Sequence, residues 1–323
     1  MKLLALVTVA VAITAQEVPF RSESRVVQVP VTVSNEKGTH VDGLKLRDFT
    51  VLDDGQERAI SLDTFGTGMA PISLAIAIET SAISKPALAR IHRIGSMIQP
   101  LVIGRRGEAA VLTFDDRLSW RLNFTSDSDA IRKTIASLAP GDSLQSHMLD
   151  AVVDVADAMK ERKGRRILLL ICEARDRGSR AKLEEAIEAV EREGVEVFAA
   201  TYSAQAQAQT ANPDDLPAPI GPNYFNVFSE LSRAGKTSHA IALTQATGGA
   251  HYMFLREHGV EKAIENLGVD VHAQYILSFP QPSDARGMRR IDVSMSGDPA
   301  PNRADLRIRF RRAYWADAAS PPQ

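Results

Sequence analysis

Between residues 25 and 65 the chain alternates apolar and polar positions in short runs, RVVQVPVTVSNEKGTHVDGLKLRDFTVLDDGQERAISLDTF, broken by turn signals at Glu36-Lys37-Gly38 and Asp53-Asp54-Gly55. A period of two predicts half-buried strands. Asp54-Gly55 predicts a tight hairpin, because Gly tolerates the positive φ such turns require. The rhythm changes at Pro71. Strands predicted over 72–79, 109–114, 167–172 and 195–202 alternate with helices predicted over 85–98, 128–138, 145–162 and 180–193. Continuous aliphatic runs such as RILLLIC need cover on both faces, which helices on either side of a parallel sheet supply. DRLSWRLNFTSD reads as an antiparallel partner to the strand ending at Phe114, which makes the sheet mixed. SHAIALTQATGGAHYMF adds a helix stopped at Gly248-Gly249 and a further strand, and GVEKAIENLGVDV a closing helix. After His272 the period of two returns in QYILSFPQPSDARGMRRIDVSMSGDPAPNRADLRIRFRRAYW.

The fold class that follows is α/β, a doubly wound, mostly parallel sheet. Neither terminal β segment has strands enough to cover its own apolar face, so the two are expected to form one small β-sandwich with the α/β domain inserted in it. The expected division is 16–68 for the N-terminal half of the sandwich, 69–271 for the α/β domain, 272–317 for the C-terminal half and 318–323 for a tail. Residues 203–225, SAQAQAQTANPDDLPAPIGPNYF, have neither period and read as a disordered segment or a surface flap.

Composition adds constraints. A chain of 323 residues with 44% hydrophobic content can bury a sizeable core. MKLLALVTVAVAITAQ has one lysine, an apolar run from Leu3 to Ile13 and a small residue at Ala15, the arrangement of a signal peptide cleaved after Ala15. Secretion or a periplasmic location is the expectation. No later segment has the ~18 uninterrupted apolar residues of a membrane span. The formal charge is −2; without Lys2 it becomes −3, from 37 basic against 40 acidic side chains, a balance that does not point to nucleic acid. Cys172 is the one cysteine, so no intramolecular disulfide forms, and its place in an aliphatic strand reads as a buried thiol.

Ligands of open α/β sheets bind beyond the carboxyl ends of the strands. Three stretches are placed there: ETSAIS after the first strand, GDSLQSHMLD at the start of the helix at Gln145, and CEARDRGS after residue 172. Glu79, Ser81, Ser146 and Glu173 project to one place, and hard oxygen donors of this kind suit Mg²⁺. VPVTVSNEKGTHVDGLKLRDFTVLDDG, GEAAVLTFDDRLSWRLNFTSD, RILLLICEARDRGSR, QYILSF, RRIDVSM and LRIRFRRAYW, in this order and spacing, resemble the bacterial VWFA-related domain proteins, which have a von Willebrand factor A-like fold. The resemblance implies a metal-ion-dependent adhesion site built from an Asp-x-Ser-x-Ser loop, a Thr before a helix and an Asp after a later strand. Here Glu79 stands for the first Asp, Ser81 for the first Ser, Ile83 for the second Ser, Ser146 for the Thr and Glu173 for the second Asp, with Ser84 displaced by one position. Each Glu adds a methylene to a site tuned to about 2.0–2.1 Å, and Ile83 supplies no oxygen. The expectation is a degenerate site that binds Mg²⁺ weakly at best, with no other cofactor.

No G-x-S-x-G, H-E-x-x-H, G-x-G-x-x-G or Walker loop occurs, which disfavours an enzyme. His251 and His258 read as surface residues rather than a metal pair. The reading is a non-catalytic protein-binding module of adhesion type, with Arg175, Asp176 and Arg177 as rim contacts for a protein partner. The alternatives are a structural or assembly component of the cell envelope and a hydrolase without a recognisable motif.

Overall fold

The computed structural model describes residues 26–63, 70–202, 238–254, 259–296 and 306–317. Residues 1–15, 203–225, 318–323 and His258, all with sequence-based expectations attached, lie outside these. Along β1 (Val26–Ser34), Val27, Val29, Val31 and Val33 are buried while Val26 and Gln28 face solvent, so the period of two fixes one inward face. β2 (Phe49–Asp53) repeats the pattern and turns through Asp54 (φ 49°) and Gly55 (φ 78°) into β3 (Gln56–Glu57), followed by β4 (Ser61–Asp63).

The central sheet contains β5 (Ile72–Glu79), β6 (Glu108–Phe114), β7 (Leu118–Thr125), β8 (Arg165–Glu173), β9 (Val195–Tyr202) and β10 (His251–Met253), in the order β10-β9-β8-β5-β6-β7. All neighbours are parallel except β7, which is antiparallel at the edge. Every position of β5 is buried. Its alternation splits the core in two: Leu74, Ile76 and Ile78 point to one face, Ala75 and Ala77 to the other.

Among the described residues, six α-helices cover these faces: α1 (Lys85–Ile91), α2 (Ser128–Ala136), α3 (Met148–Met159), α4 (Leu183–Arg192), α5 (His239–Thr247) and α6 (Gly259–His272). α1, α2 and α6 pack on the large-residue face and α3, α4 and α5 on the alanine face, where the small strand side chains make room for Met148, Val152 and Ile187. Three helices differ from the sequence reading. The helix expected over 85–98 stops at Ile91 and continues as short turns at Ile94–Ser96 and Gln99–Ile103, where Pro100 withholds an amide donor. α3 starts at Met148 rather than 145, because Ser146 is paired in extended form with Arg177. α4 starts at Leu183, because the amides of Arg180 and Ala181 donate to the Asp150 carboxylate instead of opening a helix.

The chain ends in β11 (Tyr275–Pro280), β12 (Gly287–Met295), β13 (Arg307–Phe310) and β14 (Ala313–Ala316). They join the N-terminal strands in two antiparallel four-stranded sheets, β13-β1-β11-β4 and β14-β12-β2-β3. Val29, Val31, Leu277 and Phe279 of the first share one apolar cluster with Val51, Ile291, Val293 and Tyr314 of the second. Polar ties join these sheets to the central domain. Asp270 accepts from His40 at 2.7 Å, Tyr252 at 2.5 Å and Arg309 at 3.1 Å, and Arg311 pairs with Glu191 at 2.7 Å.

Candidate functional site at the carboxyl ends of the central strands

β5 and β8 are adjacent and parallel, with Ile78 in register with Ile171, so both chains leave the sheet at the same edge. This brings Glu79 and Glu173 together. Glu79 is fully buried; its Oε1 accepts from Ser81 Oγ at 2.6 Å and its Oε2 from the Glu173 backbone N–H at 2.7 Å. Ser146 is positioned by reciprocal backbone hydrogen bonds with Arg177, N–H to carbonyl at 2.9 and 2.8 Å. Its Oγ is buried and has no hydrogen-bond partner among the described residues. Ser84 is also buried, but its hydroxyl donates to the Ser81 carbonyl at 2.6 Å. Ile83 sits in the short turn Ala82–Ser84.

One residue of this centre was assigned elsewhere by the sequence. Arg177 does not extend from the rim: its Nη2 donates to Glu79 Oε1 at 3.0 Å, its Nη1 pairs with Glu173 Oε2, and its Nε donates to the Leu144 carbonyl at 3.2 Å. Asp176 is likewise turned inward, accepting from the Leu149 amide at 3.0 Å and from Ser179 Oγ at 2.5 Å, where it satisfies the start of α3. The two residues are structural partners of the site, not free rim charges. The signal available in sequence was only the spacing of Arg177 four residues after Glu173.

Burial raises the Glu79 pKa, and the Ser81 hydrogen bond and then the Arg177 charge act against that rise. The Tyr202 phenol, whose OH has no partner among the described residues, is pushed well up by burial and by the Glu79 charge. Burial also raises the Cys172 thiol well above its ordinary value, which keeps it protonated and inert. His251 donates to or accepts from Thr201 Oγ1 at 2.6 Å, and burial lowers it to about 4.

These donors do not fit Mg²⁺ as they stand. A hard divalent cation needs oxygen lone pairs directed at one point. Here a guanidinium lies between the two carboxylates, both Glu79 oxygens already accept hydrogen bonds, and Ile83 supplies no oxygen. No group of three or more His, Cys, Asp or Glu among the described residues is placed to hold a metal.

No protein-family model matches the chain, and no curated protein matches it. Among solved structures it is similar to the conserved hypothetical protein BatB from Bacteroides thetaiotaomicron, with 13% identity over 62% of this chain and 98% of that one and a TM-score of 0.41. It is also similar to the vWF domain of the type V pili tip protein Mfa5 from Porphyromonas gingivalis, with 16% identity over 34% of this chain and 40% of that one and a TM-score of 0.30. Proximal thread matrix protein 1 from the mussel byssus gives 13% identity, 67% and 49% coverage, and a TM-score of 0.41. The sheet itself decides the architecture: one antiparallel edge strand, otherwise parallel neighbours, helices on both faces and the candidate site at the carboxyl ends of the two middle strands. This is a doubly wound α/β fold, consistent with a von Willebrand factor A-like one.

Proposed function

We propose that the chain is an exported, non-catalytic protein-binding module of adhesion type, whose rim stands where a metal-ion-dependent adhesion site would be and binds without a cation. In this reading residues 1–15 are a signal peptide leading to secretion or the periplasm, and the two terminal β segments form one β-sandwich that carries the central domain as an insertion. Among the described residues no helix is long and apolar enough to cross a membrane.

The observation that carries the reading is the stitching of the loops above β5 and β8. The Gly141 amide donates to the Thr80 carbonyl at 2.7 Å, the Ala82 amide to Ser143 at 2.8 Å, and Ser146 pairs with Arg177. Loops fixed in this way present a rigid surface, and at its crest Leu144 is 67% exposed. An apolar side chain held out from a rigid polar rim gains free energy when a partner covers it. Catalysis has no support there, since the buried Ser146 hydroxyl has no base hydrogen-bonded to it and the neighbouring His147 ring pairs with Gln145 at 3.0 Å.

The test is capture of a partner from cell-envelope extract by the immobilised full chain. Capture is expected to survive chelation and to be lost in Leu144→Asp with the fold intact by circular dichroism. Capture abolished by chelator, or unaffected by Leu144→Asp, counts against a cation-independent rim.

A further inference from the structure

We infer that Arg177 is the resident cation of this site: its guanidinium takes the place of a divalent metal and closes the gap between β5 and β8 with a charge the chain supplies itself. The inference rests on reading this rim as an eroded metal position, but concerns cation chemistry and not partner binding.

Two carboxylates on neighbouring parallel strands, Glu79 fully buried and Glu173 partly so, would repel each other without positive charge between them. Arg177 provides it, reaching Glu79 with one terminal nitrogen and Glu173 with the other. A planar guanidinium has its donors in a fixed fork, so it can span two acceptors that a spherical ion would instead draw to one centre. The longer glutamates then have a reason: acceptors on two sides of a flat cation lie farther apart than ligands around Mg²⁺. Reciprocal main-chain bonds between Ser146 and Arg177 and the bond from Nε to the Leu144 carbonyl hold the guanidinium in register. Its removal leaves Glu79 Oε1 and Glu173 Oε2 without their cation, two carboxylate oxygens that side-chain adjustment can turn toward a divalent ion.

The test uses the full chain stripped of metal, with Mg²⁺ and Mn²⁺ as probes. The wild type is expected to show no rise in melting temperature with either ion and no bound Mn²⁺ in equilibrium dialysis. Arg177→Ala is expected to melt lower than the wild type without metal and to regain stability in Mn²⁺, since binding to the native state alone raises apparent stability. Adding Glu79→Gln should remove that rescue. Arg177→Gln, which retains one amide donor, serves if the alanine variant does not fold. Stoichiometric Mn²⁺ binding by the wild type would overturn the inference whatever the variants do. So would an Arg177→Ala protein as stable as the wild type and indifferent to both ions. Partner capture is not read in any arm, so a rim without a partner leaves this result standing and the reverse also holds.

Discussion

Glu191 shows how burial and charge compete at a single residue. It lies 2% exposed at the end of α4, with Oε2 accepting from Arg311 Nη2 at 2.7 Å and Oε1 without a partner among the described residues. Burial raises its pKa from 4.5 to about 7 against the pull of the Arg311 charge, so desolvation outweighs the ion pair. The folded protein therefore holds a proton between these two values that the unfolded chain releases. Stability contributed in this way is full below 4.5 and is lost as pH rises to about 7. Glu79 and Glu196, also raised by burial, act with the same sign. Urea unfolding of the wild type is expected to show this fall, and Glu191→Gln, neutral at every pH, should flatten part of it. An unchanged slope in the variant would show that Glu191 ionises in the native state as it does in the unfolded chain. Nothing in the sequence marks this residue: Glu191-Arg192-Glu193 reads as a charged helix end, and its ion-pair partner Arg311 lies 120 positions away.

The elements were legible where a single local period decides them. β5, β8 and β9 are largely apolar runs buried on both faces, and their positions follow from length and flanking turns; β7 is antiparallel, as its alternating pattern after a tight turn implies. Boundaries set by distant partners were not. Residues 145–147 have the composition of a helix start, but the Ser146 backbone pairs with Arg177 and the His147 amide donates to the Asp115 carbonyl, and the first turn of α4 yields to Asp150. The candidate site divides in the same way: adjacency of Glu79 and Glu173 comes from the strand-end rule for parallel sheets, whereas the inward turn of Arg177 depends on a loop conformation that a mixed-charge segment does not encode visibly. Gly249 follows the Gly248 stop of α5, whose φ of 83° is left-handed. A Cβ at Gly249 would lie 1.9 Å from the Val197 carbonyl oxygen in β9, so its role is close approach of the chain to the sheet. Gly249→Ala is expected to cost roughly 1–3 kcal/mol or more. Hydrogen exchange should quicken in β9 and β10 before β5; a variant within about 0.5 kcal/mol of wild type would mean the chain relaxes freely there.

Across the whole molecule, strands from before and after the central sheet contribute to one apolar cluster. β11 lies between β1 and β4, and β12 between β14 and β2, so each terminal sheet needs strands from both sides of the central domain. Pairing across this separation carries a loop-closure cost, which grows only slowly with length once the ends meet. The joint is fastened to the central domain by the Asp270 cluster and by Arg165, whose Nη1 donates to the Val271 carbonyl at 2.8 Å while its guanidinium faces Glu196 and Gln274. Leu277, fully buried in the cluster shared by both sheets, tests this arrangement. Leu277→Ala should cost about 2–5 kcal/mol through lost contact and a residual cavity. If the terminal segments form one cooperative unit, hydrogen exchange in the variant rises together in β1, β2, β11 and β12 while β8 stays protected. Faster exchange confined to β11 and β12, with β1 and β2 unchanged, would show instead that the N-terminal strands are stable without their C-terminal partners and that the shared core is not what joins the ends.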